Sequence, residues 1–106
     1  MTSFKRGDVV LVDLGHVAKV RPCVVISIPD ADSRRNMSVV APLTTEIRGG
    51  ECEVPFPKPR WLVEESVVNL IGLVGVDNAK IGRMLGALPT DGLDAIDEVL
   101  LRLFDL

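Results

Sequence analysis

The sequence predicts a mainly β fold: a small, barrel-like sheet followed by one C-terminal amphipathic helix. Two patterns carry that expectation. β-branched, apolar runs separated by Gly-, Pro- and Asp-rich turn segments recur as far as residue 76, and the last stretch of the chain changes to helical periodicity. A length of 106 residues, 47% of them hydrophobic, fits one compact domain over residues 1–106. Chains of this size bury roughly two-thirds of their unfolded surface, enough for a core without metal or disulfide staples.

Asp8-Val9-Val10-Leu11-Val12-Asp13, bounded by Gly7 and Gly15, is β-branched and reads as a strand. Pro22–Ile28 reads as a second strand and Met37–Leu43 as a third, with the polar turn segment Pro29–Asn36 between them. Gly49-Gly50 opens a short fourth strand, Glu51–Val54, whose alternation places Cys52 and Val54 on one face and both glutamates on the other. Pro55, Pro57 and Pro59 cannot donate to a ladder, so the stretch to Trp61 is a loop or sheet edge. Ser66–Val76 is extended again, with Gly72 and Gly75 marking a bend or bulge. Asn78–Leu88 reads as one helical turn and then a short strand. In the closing helix Thr90 is placed to cap the first turn, where Asp91 and Asp94 suit the positive helix end. Leu93, Ile96, Val99, Leu100, Leu103, Phe104 and Leu106 fall within an arc of about 160° on a helical wheel. Leu101 lies off that arc, so one chain's core does not cover the whole helix, and a homodimer is expected.

Several function classes are excluded. No apolar run approaches the ~18 residues of a membrane span, and Met1–Asp8 lacks the apolar segment of a signal peptide, so a cytoplasmic protein is expected. Cys23 and Cys52 belong to no zinc-type spacing and are read as small apolar side chains within strands. Arg6-Gly7-Asp8 is a turn leading into a strand, and nothing matches a P-loop, a dinucleotide fingerprint or an EF-hand. The aromatic residues are Phe4, Phe56, Trp61 and Phe104, too few for a base-stacking sheet of the RRM type. A net charge of -3 also argues against nucleic acid, until its distribution is considered. Residues 91–106 hold Asp91, Asp94, Asp97, Glu98 and Asp105 against Arg102, a net -4, which leaves +1 for residues 1–90 and +2 for residues 1–60. The acidity belongs to the solvent face of the helix, and modest, salt-sensitive RNA binding by the rest of the chain is permitted.

Several segments, taken in order, carry a resemblance. They are Lys5-Arg6-Gly7-Asp8-Val9-Val10, Arg21-Pro22-Cys23-Val24-Val25-Ile26, Ala41-Pro42-Leu43-Thr44-Thr45, the strand end at Glu53-Val54, Ser66-Val67-Val68 and the closing helix. Together they resemble the MazF/PemK (Kid-type) toxins of toxin–antitoxin systems over nearly the whole chain. The resemblance implies an SH3-like barrel, a homodimer, sequence-selective cleavage of single-stranded RNA without metal or cofactor, and neutralisation by a cognate antitoxin peptide. It maps the family's catalytic arginine onto Arg21 and its catalytic threonine onto Thr44. Thr45, Arg48, Ser66, Asn69 and Lys19 are the accompanying candidates for RNA binding.

These residue types suit metal-free RNA cleavage, in which the ribose 2′-OH attacks the adjacent phosphorus. The protein must remove that proton, stabilise charge on the phosphate oxygens and protonate the leaving 5′-oxygen. A guanidinium presents a planar fork of N–H donors matched to phosphate, and a threonine hydroxyl can donate to the same group. Arginine is a poor proton-transfer group, so His16 or Lys19 is expected to help move the proton. The chain departs from the family in two places. The loop before Arg21 is shortened to Leu14–Val20, without the usual Gly-x-Glu segment, and the strand after Ser66 has Asn69 as its only polar side chain up to Val76. Two other readings therefore stand beside the ribonuclease: a gyrase poison of the CcdB type, and an inactive barrel that binds an antitoxin or serves regulation.

Overall fold

The β-branched runs build most of the sheet. The computed structural model describes residues 4–15 and 20–106. Its strands are β1 (Asp8–Asp13), β2 (Val20–Val25), β3 (Met37–Thr44), β4 (Glu53–Pro55), β5 (Val67–Asn69), β6 (Val74–Asp77) and β7 (Ile81–Ala87), followed by helix α1 (Thr90–Leu103). All pairings are antiparallel, in the order β4-β5-β3-β2-β1-β7, with β6 added on β3. β3 is the longest strand and serves two partners along one edge. Its first half pairs with β6 (Met37↔Asp77 to Val40↔Val74) and its end with β5 (Leu43↔Val68, Thr44↔Val67). That sharing bends the sheet around a core in the manner of a small barrel, although the sheet is not closed.

Alternation along the strands buries both faces of β1–β3. Val9, Val24, Ala41 and Leu43 pack with Val54, Val68, Leu70 and Ile96 in the core beneath the helix, whereas Val10, Val12, Cys23, Val25 and Val40 form a second cluster. The Arg6–Asp8 turn ties these layers together. Gly7 N donates to Val25 O (2.8 Å), Leu88 N donates to Gly7 O (2.9 Å), and the Arg6 guanidinium pairs with Asp97 of α1 while its Nε donates to Ile26 O (2.8 Å).

Four expectations need correction. Pro89 occupies the position flanking the helix, so Thr90 is its first helical residue and makes no cap; Asp91 instead accepts the Gly92 N–H at 3.0 Å. The second strand runs over Val20–Val25 and stops before Ile28, because Ile26 N and Ser27 N both donate to Val39 O outside a regular ladder. Glu51 and Cys52 form a turn before β4, so Cys52 lies outside the strand, although it still packs on the core. Ser66–Val76 is two strands, divided by a 3-10 turn at Leu70–Gly72 that carries the chain from pairing with the end of β3 to pairing with its beginning. At the other end of the helix, Asp105 adopts the left-handed conformation (φ 55°), and Leu106 N donates to Leu101 O at 2.8 Å, closing the last turn.

Candidate nucleic-acid interface

Strand register assembles the site. β2 and β3 pair as Val25↔Val40, Val24↔Ala41 and Cys23↔Pro42; Arg21 and Thr44 each stand two residues beyond that last pair, on the same face as Cys23 and Pro42. On the other side of β3, Thr44 pairs with Val67, and Asn69 pairs with Glu53 of β4. Directly paired residues share a sheet face. Arg21, Thr44, Asn69 and Glu53 therefore stand on one face, while Leu43, Val54 and Val68 fill the core on the other.

That polar face floors a cleft of about 830 Å³. Arg21, Thr44, Thr45, Arg48 and Asn69 all line it, so five of the residues expected from the sequence converge from β2, β3, β5 and the loop after β3. Ser66 lies outside it. Its side chain is 5% exposed and its hydroxyl donates to Glu64 O (3.2 Å), and it borders a second hollow that adjoins the cleft through Arg21 and Thr45. His16 and Lys19 lie outside the described residues.

Arg21 is half-buried, and its guanidinium has no hydrogen-bond or ion-pair partner among the described residues. Thr44 Oγ1 accepts the Glu46 N–H at 3.1 Å, which fixes the oxygen and leaves its proton free to donate. Behind Arg21, burial pushes the Cys23 thiol from 9.0 up to about 11, opposed by the positive charge of Arg21.

Three carboxylates that sequence reasoning did not place at the site also line the cleft: Glu46, Glu51 and Glu53. Glu53 accepts N–H donors from Arg48 (3.1 and 3.2 Å) and Gly49 (2.9 Å), and Gly49 takes the positive φ of 73° that the loop requires. Glu46 pairs with the Arg48 guanidinium at 3.0 Å, and Arg102 of α1 reaches over to the Glu51 carbonyl and carboxylate. The net +2 of residues 1–60 consequently does not produce a basic cleft. The signal for this was the crowding of Glu46, Glu51 and Glu53 around Arg48 in the sequence. Among the described residues no cluster of His, Cys, Asp or Glu could hold a metal ion, and no helix is long and apolar enough to cross a membrane.

Residues 5–104 match the family described as PemK-like, MazF-like toxin of type II toxin-antitoxin system. The chain belongs to this family. Every site residue named above falls within the matched span. Endoribonuclease MazF3 of Mycobacterium tuberculosis (strain CDC 1551 / Oshkosh) is 27% identical to this toxin over 95 residues, covering 90% of this chain and 92% of the relative. The structure of Mycobacterium tuberculosis toxin MazF-mt6 is similar with a TM-score of 0.81 at 27% identity, over 93% of this chain and 97% of that one. A MazE–MazF structure from Deinococcus radiodurans has the same fold, with a TM-score of 0.84 at 20% identity over 100% and 99% of the two chains.

Proposed function

We propose that this toxin is a metal-independent endoribonuclease that cuts single-stranded RNA at selected sequences, with Arg21 and Thr44 at the scissile phosphate. The observation that carries the reading is the Arg21 guanidinium, without a partner among the described residues, lining the same cleft as Thr44. Arg21 provides N–H donors to the phosphate oxygens as charge builds during 2′-OH attack, and the Thr44 hydroxyl donates to the same group. Asn69, Thr45 and Arg48 hold neighbouring nucleotides along the cleft. Proton transfer falls to His16 or Lys19, which precede β2 in the sequence. Such a protein works in the cytoplasm, where its RNA is found, and a cognate antitoxin peptide covers it. A second copy covers the end of α1, where Leu101, Phe104 and Leu106 are 52%, 54% and 85% exposed.

A second reading, the inactive antitoxin-binding barrel, draws on Ile71, an apolar residue 68% exposed at the cleft's rim. One experiment separates the two: incubation of the purified protein with a long RNA, and mapping of new 5′ ends with and without chelator. Cleavage that survives chelator and disappears in Arg21→Ala supports the nuclease. Intact RNA, or cleavage indifferent to Arg21→Ala, overturns it.

A further inference from the structure

We infer that the hollow beside Trp61 is a subsite for one nucleobase next to the cut, stacked on the indole; this rests on the RNA-cleavage reading above. The hollow is about 300 Å³ and adjoins the cleft, sharing Arg21 and Thr45 with it. A strand whose phosphate sits on Arg21 therefore has a neighbouring base within reach of it. The walls are mainly apolar, from Pro22, Leu43, Trp61, Leu62 and Leu85. Those apolar walls offer a phosphate no donor, whereas the flat, weakly hydrated face of a base gains contact with them on leaving water. Its volume is at the lower limit of small-ligand pockets and suits a single base.

The indole is fixed before any ligand arrives. It lies against bare backbone at Gly86 of β7, where a Cβ would come 2.3 Å from Nε1, and Gly86 is held in the sheet opposite Val9. The loop carrying Trp61 is tied down on both sides of the ring. Leu62 N donates to Pro59 O (3.2 Å) and Lys58 Nζ donates to Leu62 O (2.9 Å). A wall ordered in advance loses little entropy when a base stacks on it. One well-placed aromatic thus supplies the stacking that a chain so poor in aromatics cannot supply from a whole sheet.

The chain has one tryptophan and no tyrosine, so its intrinsic fluorescence reports on Trp61 alone. The probe is a 2′-O-methylated, uncleavable oligonucleotide carrying the mapped cleavage sequence, alongside copies made abasic at one position at a time around the cut. The expected result is quenching by the intact oligonucleotide and loss of quenching for one abasic copy that still binds by anisotropy. Trp61→Ala is expected to raise KM for a cleavable RNA about tenfold with a smaller change in kcat, and Trp61→Phe to retain most of the affinity. Should Trp61→Ala fail to fold, the fluorescence titration of the wild-type protein and the Trp61→Phe kinetics decide. RNA that is cut normally while fluorescence stays unchanged, and KM is indifferent to Trp61→Phe and Trp61→Ala, overturns the subsite alone. Quenching by an antitoxin peptide but not by RNA assigns the hollow to protein and overturns it as well. A wild-type protein that cuts no RNA overturns the RNA reading and the subsite with it.

Discussion

The two sides of the cleft treat charge in opposite ways. On the β2–β3–β5 side, Arg21 and Asn69 carry donors that no described residue accepts, held on regular strands by ladder hydrogen bonds. On the loop side, Arg48 is paired with Glu46, Glu53 receives the backbone of Arg48 and Gly49, and Glu51 is held by Arg102. A charge already satisfied within the protein has to exchange partners before it can serve a substrate, whereas an unsatisfied one only exchanges water. On the proposed reading the strand side is therefore the side equipped for chemistry, and the loop side is a frame whose carboxylates keep it in place.

The largest effect is expected at Arg21. Removing one preorganised donor to a developing oxyanion costs about 10²–10³ in kcat, so Arg21→Ala should lose at least that much, measured in single-turnover RNA cleavage. Arg21→Lys keeps the charge but loses the planar fork, and should recover only part of the rate. A loss confined to KM would break the contrast, because Arg21 would then be holding substrate much as the frame does.

A smaller effect is expected at Glu53. Glu53→Ala frees the Arg48 and Gly49 N–H groups to water, at a cost of about 1 kcal/mol in an exposed loop, read from the denaturation midpoint. Its kinetic signature should be a several-fold rise in KM with kcat nearly kept. Arg48→Ala, which removes one ion pair between two exposed groups, should change stability by less than about 0.5 kcal/mol. An Arg48→Ala rate loss comparable with that of Arg21→Ala would show that the loop side takes part in the chemistry.

The contrast also explains what could be read from the sequence. β1, β3 and α1 were legible almost to the residue, because β-branched runs and a wide apolar arc are local signals that tertiary structure reinforced. The split at Leu70–Gly72 was not, since it arises from β3 serving two partners, a constraint carried by residues thirty positions away. The Thr90 cap failed because Pro89 competed for the same position. Arg21 and Thr44 were singled out only because their segments resemble a family, for nothing local distinguishes an arginine before a proline. The carboxylate frame was missed because a charge sum over residues 1–60 ignores where the loop folds. Glu46, Glu51 and Glu53 share one rim, whereas Arg34 and Arg35 sit exposed in the β2–β3 connection, outside the cleft.

The smallest prediction uses Cys23, two residues along β2 from Arg21, as an internal gauge of that arginine's charge. Burial pushes its thiol from 9.0 up to about 11, and Arg21 pulls in the opposite direction. Replacing Arg21 by glutamine keeps most of the side chain's shape and removes the charge, so the Cys23 midpoint should move higher still, by on the order of half a unit. An RNA phosphate seated on Arg21 should act in the same direction by pairing its charge. The Cβ chemical shift of Cys23 followed against pH reads both effects, and Arg48→Ala should leave that curve in place. The sign for stability follows from the same shift. The stabilisation from keeping this thiol neutral is complete below about pH 9 and is lost as pH rises through about 11, so alkaline unfolding should be blunted in Cys23→Ala. A Cys23 titration that ignores Arg21→Gln would mean that solvent already screens the guanidinium. The strand side would then hold no more usable charge than the loop side.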